Sequence, residues 1–394
     1  MIVPFRARAP EPVLADLRER LARTRWPDEP DADGRDPWSL GVPGAPLRAL
    51  VERWRDGFDW RSVEERINAV PGFLAELGGT RIHFQHVRGR GPRPFPLIAI
   101  HGWPGSFLEM ERLVPVLTDP AAHGGDATDA FDLVVPSLPG YGYSDPPLRR
   151  GMNPIRIARL FLDLMAELGY ARFGAQGGDW GATIATRMSI HDPARVAGIH
   201  LNYIPGSYAP ALDAGSRPLS AAERAFLSDR DRWREEEGAY GHVQATRPQT
   251  LGYALADSPV GLLAWIVEKL RAWSDCGGDV FARFTPDEIL AHATLYWVTG
   301  TMPSAMRLYA EARGVPLRFG PSERVPVPCG VARFAKEEPM PPREWAERVF
   351  DVVRWSEFAR GGHFAAMEEP ELLAEDVRAF FRPLRPLARG TPLA

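Results

Sequence analysis

The chain has 394 residues, 45% hydrophobic and 25% charged, with a formal net charge of −4. Such a chain has ample apolar material for a globular core. Its charge excludes a polyanion-binding surface, so nucleic acid is not an expected partner. The two cysteines, Cys276 and Cys329, are far apart and in no metal-ligand spacing. They predict neither a disulfide framework nor a metal site, and they point to a reducing compartment. No run approaches the ~18 apolar residues of a spanning helix, and MIVPFRARAPEPVLADLRERL lacks the pattern of a secretory signal. A cytoplasmic protein with no membrane partner is expected.

In chain order, residues 1–90 are predicted to be an N-terminal extension of helices and irregular segments. PEPVLADLRERLART spaces its apolar residues as a helix does, PDEPDADGRDP breaks it, and LRALVERWRDGFDWRSVEERIN is a second amphipathic candidate. TRIHFQHVRG alternates as a strand leading into the core. PFPLIAIHGWPG is a buried apolar run ending in a Gly/Pro turn, and FDLVVPSLPGYGYSDPP is a strand with a Gly/Pro-rich loop. RFGAQGGDWGATIATRMSIHDP reads as strand, tight turn and helix, and VAGIHLNYIPG as a further strand. Strands alternating with helices predict an α/β fold with a mostly parallel sheet flanked by helices. Residues 205–318 turn helical and rich in Trp, Tyr and Arg, a candidate lid inserted in that core. VPVPCGVARF and VVRWSEFARGGH resume the strand pattern, PELLAEDVRAFFRPL closes as an amphipathic helix, and the tail RPLARGTPLA is expected to fray. The core is assigned to 91–204 and 319–394.

GGDWG, residues 177–181, has the small-x-nucleophile-x-small outline of a nucleophile elbow, with Asp179 where serine usually stands. Asp179, Glu337 and His363 follow in the order nucleophile, acid, histidine, each just after a predicted strand. Singly, Asp179 would read as a helix N-cap, His363 as a satisfied surface residue, and Glu337 as a loop charge with Glu338 as its competitor. Order and context together make them a catalytic set. HGWPG, residues 101–105, is a strand-end turn able to expose the amide of Trp103. The amide of Trp180, next to the nucleophile, supplies the second donor of an oxyanion hole.

Together with GGDWG and HGWPG, the segments RTRWPDEP, YGYSDPP, DSPVGLLAWIVEKLRAW, YWVTGTMPSAMRLYAE and RGGHFAAMEEPELLAEDVRAFF carry a family resemblance. Over almost its whole length the chain resembles the α/β-hydrolase-fold epoxide hydrolases of the microsomal type. The resemblance implies an α/β-hydrolase fold preceded by an epoxide hydrolase N-terminal domain. It also implies two lid tyrosines, which local motif places at Tyr240 and Tyr309; Tyr296, in LYWVTG, is the weaker rival and expected to be core. Membrane-anchored members begin with an apolar helix that is not seen here, so their location is not carried over. The chain is also similar to bacterial members that act in natural-product biosynthesis, including on enediyne-type epoxides; general epoxide detoxification is the rival role.

The chemistry follows from the groups. A carboxylate is ionised at neutral pH and attacks a strained epoxide carbon directly, while phenols of pKa ~10 stay protonated to meet the opening oxygen. The ester on Asp179 is then hydrolysed by water that His363, oriented by Glu337, activates. This needs no cofactor and no metal. Trp103, Trp180, Trp265 and Trp297 suggest an aromatic, apolar pocket for a bulky aryl or alkenyl epoxide. The expected partners are that small molecule and, at most, a second copy of the chain in a homodimer. Two other readings compete: a haloalkane dehalogenase, which shares the Asp nucleophile and often the Trp after it, and a non-catalytic relative that binds a ligand.

Overall fold

Nine strands form one sheet in the computed structural model of the chain, which describes residues 1–389 apart from Ala32 and Ala214 and only the backbone over 386–389. Of the tail RPLARGTPLA, expected to fray, residues 385–389 continue a 3-10 helix, Arg382–Arg389, and residues 390–394 lie outside the described residues. The strands are β1 (Ile2–Phe5), β2 (Gly72–Leu77), β3 (Thr80–Val87), β4 (Phe95–Ile100), β5 (Phe131–Pro136), β6 (Phe173–Gly177), β7 (Val196–Leu201), β8 (Pro328–Phe334) and β9 (Asp351–Phe358). Their spatial order is β1-β2-β3-β5-β4-β6-β7-β8-β9. From β5 to β9 all neighbours are parallel, whereas β1, β2 and β3 join antiparallel, with β3 against β5. Strands β5, β6 and β7 are buried along their whole length. Parallel strands covered on both faces need such unbroken burial, which explains runs such as FDLVV and VAGIHL.

The strand order also positions two turns. From β4 the chain moves to one side for β5 and comes back to the other side for β6. That reversal opens a crevice beyond the carboxyl ends of β4 and β6. HGWPG follows β4 and GGDWG follows β6, so both motifs stand at its mouth.

The N-terminal extension differs from the helices and irregular segments expected of it. It adds β1 and β2 to the sheet, with β2 and β3 joined by Gly78-Gly79, whose φ values are 55° and 77°. Two consecutive positive φ angles make a tight hairpin that Gly-Gly favours, a signal readable in the sequence. Strand β1 carries no such signal: it is four residues long, contains a proline and lies at the sheet edge. LRALVERWRDGFDWRSVEERIN is two helices, Gly44–Asp56 and Trp60–Ala69. Gly57 ends the first, and Asp59 caps the second by accepting from the Arg61 amide at 2.8 Å.

Residues 205–318 hold the helices Ala221–Glu236, Ala239–Thr246, Pro248–Asp257, Pro259–Trp273, Pro286–Thr299 and Met302–Ala312. The N-terminal helices brace this layer. Arg20 pairs with Asp257 at 2.7 Å, Arg53 with Asp287 at 2.6 Å, and the Trp54 indole donates to Thr294 Oγ1 at 2.8 Å. Among the described residues no single helix is long and apolar enough to cross a membrane.

Glu64 ties the extension together. Buried on helix Trp60–Ala69, it accepts from the Ala9 amide at 2.5 Å, the Trp60 indole at 2.9 Å and Arg61 Nη1 at 2.7 Å. Removing the carboxylate strands three buried or half-buried donors. Glu64→Ala is therefore expected to cost about 3 kcal/mol, read as a lower urea midpoint at unchanged slope. A loss below about 0.5 kcal/mol would mean that the cluster is merely a surface ion pair.

Candidate active site

Strand β6 ends at Gly177 and a helix, Asp179–His191, starts two residues later. Asp179 sits at φ 45°, in the left-handed region that side chains other than glycine rarely enter. The tight turn needs bare backbone around it. A Cβ on Gly181 would press on the main-chain carbonyl of Ile100, at the end of β4, and one on Gly177 would meet the backbone of Gly181. The small residues of GGDWG thus let strand, helix and β4 close on one another, and the turn throws the Asp179 side chain into the crevice.

There the carboxylate is met from two sides. Trp103, in HGWPG, donates its amide to Asp179 Oδ1 at 2.8 Å, and the adjacent Trp180 amide also favours the ionised carboxylate. Opposite, His363 Nε2 stands 3.8 Å from Oδ2. His363 follows β9 in a loop tied down by its own amide, which donates to the Trp273 carbonyl at 2.9 Å. Its Nδ1 lies 3.0 and 3.1 Å from the two oxygens of Glu337, which is 3% exposed and comes just after β8. Glu338, the competitor, is exposed, while Glu337 holds His363.

These charges shift one another. Burial raises the carboxyl groups of Asp179 and Glu337 above their ordinary values, and His363 offsets part of that. Burial alone would lower His363, but Glu337, Asp179 and Glu109 outweigh it and push the imidazole up to about 9. At neutral pH the resting site therefore holds an imidazolium between two carboxyl groups.

Tyr240 and Tyr309 come from different lid helices, yet their rings meet, with centroids 5.9 Å apart. Trp103 organises both. Its indole stacks on Tyr240 at 5.2 Å and 8° and meets Tyr309 edge-on at 5.8 Å, while Trp180 meets Tyr309 edge-on at 4.8 Å. Burial first pushes both phenols well above 10, helped at Tyr240 by the Asp179 charge and at Tyr309 by Tyr240 and then Asp179, so they remain proton donors. Tyr296 lies in the core as expected, its hydroxyl donating to the Gly105 carbonyl at 2.7 Å.

A cavity of ≈ 540 Å³ opens onto Asp179, Tyr240, Glu337 and His363. Its aromatic walls differ from those expected. None of Trp103, Trp180, Trp265 and Trp297 lines it: Trp103 and Trp180 pack on the two tyrosines, Trp265 bonds Gln244, and Trp297 lies under Arg20. Tyr203, Trp233, Trp273 and Trp345 line the cavity in their place, with Arg230, Arg234 and Lys336 among its charged walls. Tyr203 was findable in sequence, since it stands two residues past the end of β7, where side chains reach the crevice. Trp273 was not: only the folded lid brings it within 5.1 Å of the His363 ring.

Comparison with known proteins places this geometry. Residues 2–110 match the epoxide hydrolase N terminus family, and residues 96–234 match the alpha/beta hydrolase fold family. The chain is 44% identical over 385 residues to a provisionally named epoxide hydrolase of Stigmatella aurantiaca, covering 98% of this chain and 86% of that one. It is 37% identical to epoxide hydrolase 1 of Sus scrofa over 96% of this chain and 88% of the relative. Among solved structures, the epoxide hydrolase of Aspergillus niger superposes with a TM-score of 0.85 at 31% identity, over 98% of this chain and 97% of that one. The chain belongs to the epoxide hydrolases of the α/β-hydrolase fold.

Proposed function

We propose that the protein opens an apolar, aromatic epoxide to a vicinal diol through an ester on Asp179. The carrying observation is the arrangement around that carboxylate: Oδ1 accepts from the Trp103 amide at 2.8 Å, while Oδ2 remains on the side of His363, 3.8 Å away. Oδ2 is the free nucleophile. It attacks an epoxide carbon in line, the carbon–oxygen bond breaks, and Tyr240 or Tyr309 gives its proton to the departing oxygen. Oδ1 becomes the ester carbonyl oxygen, already in its oxyanion hole.

Esterification then changes the electrostatics. The Asp179 charge is one of the groups holding His363 up, and the ester removes it. The imidazole becomes more acidic and sheds its proton to solvent, from which the phenolate regains the one it gave up; the neutral imidazole can then serve as base for water, with Glu337 fixing its orientation. Water bonds to the ester carbon, His363 takes one proton, and the tetrahedral oxyanion rests on the amides of Trp103 and Trp180. Collapse breaks the Cγ–Oδ2 bond of Asp179; Oδ2 leaves in the diol, taking up the proton from His363, and the water oxygen stays in the restored carboxylate.

A second reading, haloalkane dehalogenase, draws on one observation: the buried Trp180 Nε1 has no hydrogen-bond partner among the described residues, as a halide-holding group would. Two phenols poised beside Asp179 weigh against it, since halide leaves unprotonated. Chloride release without diol formation would establish the dehalogenase. A ligand-binding relative would give stoichiometric binding and no product.

The finer proposal is a biosynthetic role on a bulky natural-product epoxide of the enediyne type. The ≈ 540 Å³ cavity and its aromatic walls support it. A kcat/KM for polycyclic aryl epoxides above that for small alkyl epoxides is expected; the reverse order would argue for general detoxification.

Single turnover of styrene oxide in oxygen-18 water tests the covalent route. Label is expected in Asp179 and not in the first-turnover diol; label in that diol would mean direct attack by water. Asp179→Asn is expected to abolish turnover, and His363→Gln to leave a stable adduct of the mass of enzyme plus substrate.

The pH dependence has a defined sign. The base must be neutral, so ester hydrolysis rises with pH through a pKa below the value of about 9 set in the resting enzyme. As pH falls below it, hydrolysis slows and ester accumulates, read by quench-flow and intact mass. A hydrolysis rate flat from pH 5 to 9, about the span in which histidine titrates, would remove His363 from that role.

A further inference from the structure

A second, much smaller cavity also touches both Asp179 and His363. The centre of a water molecule has ≈ 10 Å³ of space there, near the least that admits one water. Its remaining polar walls include Glu109, Gln176 and Asn202, none of which has a task in the reaction above. Gln176, on β6, is 1% exposed; its Nε2 donates to Asn202 Oδ1 at 2.9 Å, and its Oε1 has no partner among the described residues. Buried acceptors without donors are uncommon and call for a reason.

Glu109 comes from the single turn Phe107–Met110 that follows HGWPG. Its carboxyl occupies the place where a Cβ on Gly105 would stand, just as the Asp179 carboxyl occupies that of a Cβ on Gly102. The two glycines of HGWPG each make room for one carboxyl group, which puts both at the same small cavity.

We propose that this cavity seats the hydrolytic water, and that Glu109 and Gln176 are positioning residues that orient it between His363 Nε2 and the Asp179 ester carbon. The inference rests on the covalent reading above. The hydrogen-bond count of water agrees with it. One proton goes to His363 Nε2, the other to Gln176 Oε1. Burial pushes the Glu109 carboxyl up to about 8, against the opposing pull of His363. At neutral pH it therefore keeps its proton and can donate to one lone pair of the water. The other lone pair is left for the attack. As the new carbon–oxygen bond forms, the first proton passes to His363 and on to the departing alcohol, and the second is released from the restored carboxyl.

The test separates the two half-reactions. Stopped-flow single turnovers of styrene oxide, followed by tryptophan fluorescence and by intact mass of the ester, give the rate of each phase. Glu109→Leu and Gln176→Met are expected to leave alkylation within about twofold while slowing hydrolysis at least about tenfold, so that ester accumulates. Glu109→Gln keeps a donor at that position and is expected to hydrolyse within about threefold of the parent. Hydrolysis unchanged in Glu109→Leu and Gln176→Met, equal slowing of both phases, or Glu109→Gln as slow as Glu109→Leu would each overturn the proposal. Should Glu109→Leu not fold, Gln176→Met decides. A parent enzyme that forms no ester at all would instead refute the covalent reading.

Discussion

The bond from the Trp103 amide to Asp179 Oδ1, 2.8 Å long, is the contact on which the rest of the site depends. It joins the turn after β4 to the turn after β6, and it forms only if both backbones come close. Gly102 admits the carboxylate, Gly181 admits the Ile100 carbonyl, and Asp179 takes a left-handed φ of 45°. That conformation costs of order 1–3 kcal/mol, and burying the carboxylate adds to the cost. The charge-assisted hydrogen bond from the Trp103 amide, the adjacent Trp180 amide and the facing imidazolium offset it. The strain is the means by which a carboxylate is held in a crevice with one oxygen bound and the other free.

Around that contact the site is an electrostatic arrangement of Asp179, Glu337, Glu109 and a single imidazole. None of the carboxyl groups is exposed in the way of a surface charge, and each leans on His363. A change in charge at one is felt by the others, so in the proposed reaction conversion of Asp179 to a neutral ester would alter His363 at the moment when a base is required. The aromatic layer serves a complementary purpose. Trp103 contacts both lid phenols by stacking and edge contacts, so the residue whose amide holds Asp179 also positions Tyr240 and Tyr309.

The N-terminal extension is part of the same machine rather than an appendage. Its strands complete one side of the sheet, and its helices hold the lid helices Pro248–Asp257 and Pro286–Thr299, the first of which packs against the helices that carry Tyr240 and Tyr309. The exposed pairs Arg20–Asp257 and Arg53–Asp287 contribute little to stability. The buried Trp54–Thr294 and Glu64 contacts contribute more, because their groups have no water to return to.

The sequence by itself determined what is local. Periodicity and unbroken apolar runs marked the parallel strands, Gly/Pro turns marked their ends, and motif order brought Asp179, Glu337 and His363 into one set. Such features need only a few consecutive residues to agree. The tertiary structure decided whatever depends on residues far apart in the chain. It set β1 at the sheet edge, chose Glu337 over Glu338 as the partner of His363, and exchanged Trp265 and Trp297 for Trp273 and Tyr203 around the cavity. It also brought Glu109, unremarkable in SFLEM, beside Asp179 and His363. Each of these turns on which side chain a fold buries against which, and that is fixed by packing and by the demand that buried polar groups find partners, neither of which is written in local spacing.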